Sequence, residues 1–212
     1  MTVRERLAQA AFELFDERGF DATTVDDIAA RAGTGRTTFF RAFGSKEEVV
    51  FPDHDTLLAS VQARLDAAST GAEPLAVTEA AGLVLQHYLA EGELARTRYR
   101  LTSAVPALRA REIAGQRQYQ RVFLGFARRW YGAGADLRAE LLADAVVTAH
   151  NHVLRQWLRG RTDTPEDDFD AALAEVLALF ADRPADEPAA LVVLRTDRDL
   201  DEVLPRLREL LD

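Results

Sequence analysis

The stretch that most restricts the fold is residues 24–46, TVDDIAARAGTGRTTFFRAFGSK, because it marks its own helix boundaries. Thr24 and Asp27 are spaced as a capping box, in which a hydroxyl and a carboxylate satisfy free backbone N–H groups at a helix start. Gly33 is suited to end that helix, since glycine takes positive φ without steric cost. Residues 45–48 (SKEE) form a second capping box. The sequence therefore predicts two short helices joined by a tight turn, with another helix beginning directly after them.

The same stretch is a basic island in an acidic chain. The 212 residues carry a formal net charge of −9, so the chain as a whole would be repelled by nucleic acid. Residues 31–46 contain four basic side chains and no acidic one, namely Arg31, Arg36, Arg41 and Lys46. Two short helices with a basic second helix are typical of a helix-turn-helix, which places that helix in the DNA major groove. Any DNA contact must then come from this local patch.

Composition narrows the class of protein further. The chain has no cysteine, which excludes a disulfide framework and cysteine-based zinc sites. No apolar run reaches the roughly 18 residues of a membrane span, and the N-terminus lacks the apolar core of a signal peptide. Ala, Leu, Arg and Glu dominate, a composition that favours helix. We expect a soluble, cytoplasmic protein without a membrane partner.

Apolar residues recur at helical spacing through most of the remaining chain. A fourth helix is expected from Ser45 to about residue 68. Pro52 should kink it, or end a short first turn before a restart near Asp53 or Asp55. If the two halves of the protein move relative to each other, Pro52 is the expected hinge. Further helices are predicted at residues 75–89, 93–103, 106–131 and 136–159, and from Pro165 onwards.

The sequence thus predicts an all-α fold of about nine helices in three parts. We expect a three-helix helix-turn-helix DNA-binding domain at residues 1–47, a helical ligand-binding and dimerisation domain at residues 48–182, and an extension at residues 183–212. In the extension, residues 191–194 suit a strand and residues 199–211 a last helix. Because a lone strand cannot satisfy its own edges, pairing with a second copy, irregular packing and helix all remain open for residues 191–194.

Residues 3–50 resemble the TetR family of one-component transcription regulators. The resemblance rests on three N-terminal helices and on three motifs, namely Thr24-Val25-x-x-Ile28-Ala29-x-x-Ala32-Gly33, Phe40-x-x-Phe43 and Ser45-Lys46-Glu47. It implies a homodimer whose third helices enter the major groove at half-sites roughly 34–36 Å apart. The helical C-terminal domain would bind a small-molecule effector and dimerise. We therefore expect a ligand-responsive DNA-binding transcriptional regulator, a repressor released from its operator by the effector.

The resemblance also assigns contacts with double-stranded operator DNA. Arg36, Thr37 and Thr38 would face base edges, since arginine reads guanine and a threonine methyl contacts thymine. Thr24, through its N–H or hydroxyl, and Lys46 would meet phosphates. The predicted set is completed by Arg4 at the backbone or minor groove, and by Thr34, Gly35, Phe40 and Arg41.

Three positions depart from the family's usual pattern. Gly35 stands where serine is common, so Thr34 is expected to cap the recognition helix instead. Phe40 replaces a common tyrosine, which removes a hydroxyl–phosphate bond and makes Phe40 either a core residue or an apolar base contact. Ala42 lies where tyrosine or histidine is frequent, so phosphate anchoring should shift to Arg41. These departures leave open an adaptor that has lost DNA binding.

The effector is expected to be anionic or hydrophobic. Residues 92–131 hold nine arginines and only two acids, which could face an anionic effector or simply balance charge elsewhere on the surface. Ligand pockets are mostly apolar with a few placed polar groups, although an aromatic on a helix stripe is commonly just core. The candidate ligand-binding residues are Tyr88, Arg98, Phe123, Phe126 and His150.

Dimerisation is expected through the eighth and ninth helices, which carry the longest late apolar stripes. No catalytic residue, metal site or cofactor is predicted, because phosphate-binding loops and nucleophile elbows are absent from the sequence. Histidines 150 and 152, and the Asp53-His54-Asp55 run, are too close in sequence to share a helix face. A helical small-molecule-binding protein or enzyme without DNA binding remains the alternative.

Overall fold

The computed structural model describes residues 1–51 and 54–181, and in this part the fold is all-α, as the sequence predicts. Nine α-helices and one 3₁₀ helix (Glu47–Val50) occur there, without a strand. The helices are α1 (Val3–Arg18), α2 (Val25–Arg31), α3 (Arg36–Ala42), α4 (His54–Asp66), α5 (Glu73–Glu91), α6 (Glu93–Ala104), α7 (Pro106–Tyr131), α8 (Asp136–Leu158) and α9 (Pro165–Phe180). The predicted Pro52 hinge and the strand and helix of the C-terminal extension lie outside the described residues.

The helix-turn-helix is bounded as its capping residues predict. Thr24 accepts a hydrogen bond from the Asp27 N–H at 3.2 Å, and the Asp27 carboxylate accepts one from the Thr24 N–H at 3.0 Å. Gly33 has a φ of 65°, a left-handed conformation that favours glycine. Its N–H donates to the Ala30 carbonyl at 3.1 Å. The turn between α2 and α3 is therefore fixed by local chemistry.

The predicted second capping box forms only in part. The Glu48 N–H donates to the Ser45 hydroxyl at 3.3 Å, but the Glu48 carboxylate accepts from the Gly44 N–H at 2.7 Å instead of from Ser45. The segment that follows is the short 3₁₀ helix, and α4 begins at His54. Of the two predicted forms, the short first turn with a restart is the one the structure has.

Two hydrophobic clusters organise the described part of the chain. The N-terminal cluster contains the buried residues of α1, α2, α3 and the 3₁₀ helix, with Phe51 and with Leu108 of α7. The main cluster is built from α4, α5, α7, α8 and α9, with α8 packed against both α7 and α9. Helix α6 contributes to both, since Ala95 is buried in the main cluster while Leu94 and Leu101 pack on the N-terminal one. None of the described helices is long and apolar enough to cross a membrane.

Candidate nucleic-acid interface and effector cavity

Helix α3 presents one exposed face and one buried face. Phe39 is fully buried, whereas Phe40 is 44% exposed. Arg36, Thr37 and Arg41 are also exposed, and Thr38 is half-buried. Because residues four apart on a helix are neighbours, the exposed residues form one continuous surface. Phe40 therefore belongs to the face that can meet DNA, and the alternative that places it in the core is wrong.

Arg36 is positioned on this face by two contacts. Its guanidinium donates to Asp26 Oδ2 at 2.8 Å and lies 5.3 Å from the centre of the Phe40 ring. Both members of the ion pair are more than half exposed, and such pairs contribute only about 0–1 kcal/mol. Arg36 can therefore leave Asp26 for a base edge at small cost. Arg41 forms no ion pair with any residue in the described ranges.

The expected cap at the start of α3 is absent. The Thr34 hydroxyl donates to the Ala29 carbonyl at 3.4 Å, and so it faces back towards α2. Gly35 is the N-cap residue of α3 and supplies no side-chain hydrogen bond. Since Thr34 is committed to the turn, the prediction that it replaces the missing serine cap is wrong.

Two of the predicted phosphate contacts are already used inside the fold. The Thr24 N–H and hydroxyl both donate to Asp27 Oδ2, at 3.0 and 2.5 Å. The Lys46 ammonium donates to the carbonyls of Phe20 and Thr23, at 2.7 and 2.9 Å, and lies over the Phe20 ring. An ammonium has three N–H groups, so Lys46 keeps one for a phosphate. A phosphate at Thr24 would have to displace the Asp27 carboxylate.

Two further arginines hold the helix-turn-helix together. Arg4 donates to the carbonyl of Ala42 at the end of α3, and its guanidinium lies 4.3 Å from the centre of the Phe43 ring. Arg31 pairs with Glu17 at 2.8 Å and fastens α2 to α1. The hydrogen bond from Arg31 lowers the pKa of the Glu17 carboxyl. Arg4, Arg31 and Lys46 therefore hold the helix-turn-helix together, while Arg36 and Arg41 lie on the exposed face of α3.

A cavity of about 410 Å³ opens among α5, α6, α7 and α8. Its lining is apolar along the interior, with Val84, Phe123, Val146 and Leu154 among the buried wall residues. Its exposed lining includes three arginines on the side that meets solvent, namely Arg109, Arg155 and Arg159. Arg159 donates to the Tyr99 hydroxyl at 2.7 Å. Arg109 and Arg155 form no ion pair within residues 1–51 and 54–181.

Four of the five predicted ligand-binding residues line this cavity, namely Tyr88, Arg98, Phe123 and His150. Phe126 does not line it, because this side chain is buried in the main cluster, with its ring centre 6.3 Å from that of Trp130. Sequence reasoning missed Tyr119, Thr102, Glu112 and Arg155. Tyr119 could have been found, since it lies one helical turn before Phe123 on α7.

Burial shifts the pKa of several titratable groups in the cavity wall towards the uncharged form. Burial lowers the pKa of His150 to about 4 and outweighs a hydrogen bond with Asn151. No residue in the described part bonds its Nε2. Burial also raises the pKa of the Glu112 carboxyl, against the opposing effect of Thr102 and nearby arginines, and raises the pKa of Tyr88 to about 12. The interior therefore suits an apolar group with a few hydrogen bonds.

Arg98 differs from the arginines at the cavity opening because its charge is already neutralised. It is 5% exposed, and its guanidinium makes a two-point ion pair with Glu91. Its Nε–H donates to the carbonyl of Val50. Arg98 lines the cavity but has few donors left for an anionic ligand. Within the described ranges, no group of three metal-ligating side chains comes together.

Comparison with known proteins identifies the family. The family described as "Bacterial regulatory proteins, tetR family" matches residues 7–51, and the family described as "MftR C-terminal domain" matches residues 59–183. The chain belongs to the TetR family. Regulators of the TetR family are ligand-responsive DNA-binding repressors, so the predicted resemblance and the predicted regulatory function are confirmed.

The TetR-family relatives include regulators named for particular systems. The mycofactocin biosynthesis transcriptional regulator MftR of Mycobacterium tuberculosis is 29% identical over 184 residues, covering 86% of this chain and 92% of that protein. Such relatives are named as regulators and not as enzymes.

Solved TetR-family structures share the fold. The SmeT–triclosan complex, whose protein is the repressor of a Stenotrophomonas maltophilia efflux pump, has a TM-score of 0.62 at 21% identity, over 91% of this chain and 100% of that chain. The FadR repressor of Thermus thermophilus, in complex with lauroyl-CoA, has a TM-score of 0.54 at 25% identity, over 88% of this chain and 100% of that chain.

Proposed function

We propose that this TetR-family protein is a homodimeric repressor that reads its operator with α3 and is released when an amphipathic anion enters the cavity. The observation that carries the proposal is the cavity itself, with an apolar interior and with Arg109 and Arg155 at its opening, which form no ion pair with the described residues. We assign residues 1–47 to DNA binding and residues 48–182 to effector binding and dimerisation. With a DNA partner, the protein would act in the cytoplasm.

In the proposed DNA complex, the residues of α3 divide into two groups. Arg36, Thr37 and Phe40 lie on the exposed face and would meet base edges, where arginine is suited to guanine and an apolar side chain to the thymine methyl. Arg41 would bind a phosphate, because its charge has no partner in the described structure. A second set of predicted residues would serve chiefly to orient α3, namely Arg4, Thr24, Thr34, Gly35 and Lys46. Lys46 could also reach a phosphate.

The proposed effector has an apolar part and an anionic end. The apolar part fits the buried wall around Val84 and Phe123, where burial releases about 25 cal/mol per Å². The anionic end fits Arg109 and Arg155, which are exposed at the opening and could bind phosphate or carboxylate oxygens. The lauroyl-CoA complex of the Thermus thermophilus FadR repressor supports this class of ligand.

The proposed dimer uses α8 and α9. These helices expose three large apolar side chains, with Leu137 70%, Leu141 51% and Leu179 76% accessible. Leu137 and Leu141 are one turn apart and so share a face of α8. Exposed leucines that gather on two adjacent helices indicate an interface, since a monomer gains nothing by leaving them in water.

Release would follow from differential binding. An effector can lower operator affinity only if it binds better to an arrangement in which the two recognition helices no longer match the half-sites. Helix α6 lines the cavity and also packs on the N-terminal cluster, so a change in the cavity wall would reach that cluster.

Replacing the two exposed arginines of α3 should have different effects. We expect Arg36→Ala to cost roughly 1–3 kcal/mol of operator binding and to relax sequence preference, and Arg41→Ala to weaken all sequences alike and lower the salt slope by about one. Fluorescence anisotropy at several salt concentrations would measure both, using a duplex that the wild-type protein selects from a random pool. Arg129→Ala, on α7, is the matched control. Equal loss on selected and random duplexes for Arg36→Ala would contradict base reading.

The effector class can be tested with two probes that share one chain length. Lauroyl-CoA should raise the melting temperature and weaken operator binding, and Arg155→Ala should reduce its affinity by about 1.5–3 kcal/mol, roughly tenfold or more. Dodecan-1-ol lacks the anion, so Arg155→Ala should leave its binding unchanged. Arg129→Ala should alter neither probe. If both probes respond alike to Arg155→Ala, the anionic end has no specific partner there.

The dimer can be tested by placing a charge in its proposed interface. Leu141→Arg should give a monomer in sedimentation velocity at micromolar concentration, because a charge at the centre of an apolar interface has no partner. Circular dichroism should show unchanged helix content. Leu75→Arg, at an exposed leucine on α5, is the control and should stay dimeric. A wild-type monomer, or a dimeric Leu141→Arg variant, would rule out this interface.

A further inference from the structure

Helix α6 forms a wall between the effector cavity and the N-terminal cluster. Ala95, Arg98 and Thr102 lie one helical turn apart and line the cavity. Leu94 and Leu101, on another side of the same helix, pack on the N-terminal cluster. A ligand in the cavity would therefore contact a helix whose neighbouring face packs on α1 and the rest of the N-terminal cluster.

Arg98 crosses this wall with its side chain. The guanidinium lies 5.7 Å from the centre of the Tyr88 ring, which lines the cavity, and 6.0 Å from the centre of the Phe12 ring of α1. Its Nε–H donates to the carbonyl of Val50, the last residue of the 3₁₀ helix that follows the helix-turn-helix. One side chain thus touches the cavity wall, α1 and the segment leading out of the DNA-binding domain.

Breaking the hydrogen bond from Arg98 to the Val50 carbonyl would be energetically unfavourable. Val50 is fully buried, and a buried carbonyl that loses its donor is unfavourable. The guanidinium is held in turn by Glu91 at the end of α5, which is also largely buried. Truncating one member of a buried pair leaves the other uncompensated. When Arg98 shifts, Val50 therefore shifts with it.

We propose that Arg98 is a positioning residue that transmits occupancy of the cavity to the 3₁₀ helix Glu47–Val50, and that it is not an effector ligand. The proposal rests on the proposed function, in which the cavity binds the effector. Two other ion pairs reach the N-terminal segment, Arg111–Glu48 (3.1 Å) and Arg100–Asp16 (3.8 Å), and both are exposed pairs that salt screens.

The test uses a cavity-filling substitution in place of an unknown effector. Val84 lines the cavity from α5, two helical turns before Glu91, and is not a partner in the Arg98 hydrogen bonds, so Val84→Phe should occupy part of the cavity. Hydrogen–deuterium exchange of the full chain would report the amides of residues 47–51. Four proteins are compared, namely the wild type, Val84→Phe, Arg98→Met and the double variant. Methionine keeps an apolar stem and removes every hydrogen bond.

Val84→Phe should speed exchange of residues 47–51 about fivefold or more in the wild-type background. In the Arg98→Met background, exchange should already be raised, and Val84→Phe should add nothing further. Arg100→Met, on the same helix, should behave as the wild type. If Val84→Phe has the same effect in both backgrounds, or none in the wild type, the proposal is overturned.

Two further measurements keep the result clear. Should Arg98→Met fail to fold, Glu91→Gln keeps the shape of the pair and removes its charge, and it should give the same pattern more weakly. Operator binding is measured separately on the wild type. A wild type that does not bind DNA would contradict the proposed function, whereas a normal DNA-binding protein without the exchange pattern would contradict the role of Arg98 alone.

Discussion

Helix α6 packs against two hydrophobic clusters at once, and the positions of the cavity and the N-terminal helices depend on this packing. Ala95 is buried with the residues that surround the cavity, while Leu94 and Leu101 cover the helices that present α3. The buried Arg98–Glu91 pair lies at the same junction. Since close-packed interiors have discrete arrangements and do not deform continuously, a change on one side of α6 must be met by a change on the other.

The acidic chain explains how the DNA-binding surface is built. With a formal net charge of −9, the protein has little general attraction for DNA, so in the proposed complex association would depend on a few exposed groups on α3. The side chains of Arg4, Arg31 and Lys46 bind carbonyl and carboxylate groups within the N-terminal helices. These three side chains are therefore less available to bind phosphates. In return they hold α3 rigidly, which would favour sequence-specific over non-specific DNA binding.

Local chemistry made much of the fold predictable. The cap at Thr24, the proline that begins α9 at Pro165 and the breaks at Gly33 and Gly132 depend on neighbouring residues, so the sequence alone could place most of the helices within a few positions. The choice between Phe39 and Phe40 as the core residue depends on how α3 rotates against α1, which no local pattern encodes. The structure buries Phe39 and exposes Phe40.

The site itself was harder to predict because its contacts join distant parts of the chain. Thr34 bonds back to Ala29, and Lys46 bonds to Phe20 and Thr23. Arg98 has the charge and the N–H donors expected of a ligand-binding residue. The Glu91 carboxylate and the Val50 carbonyl, however, already accept hydrogen bonds from it. Predicting these partners requires the packing of α6 against two clusters, which follows from the whole fold.

In the proposed mechanism, the state of the cavity sets the affinity of α3 for DNA. The most direct measurement is the operator affinity of Val84→Phe beside that of the wild type, by fluorescence anisotropy at fixed salt on the duplex that the wild type selects. A filled cavity should weaken binding by about fivefold or more while the helix content is unchanged. Equal affinity of the two folded proteins would contradict the claim.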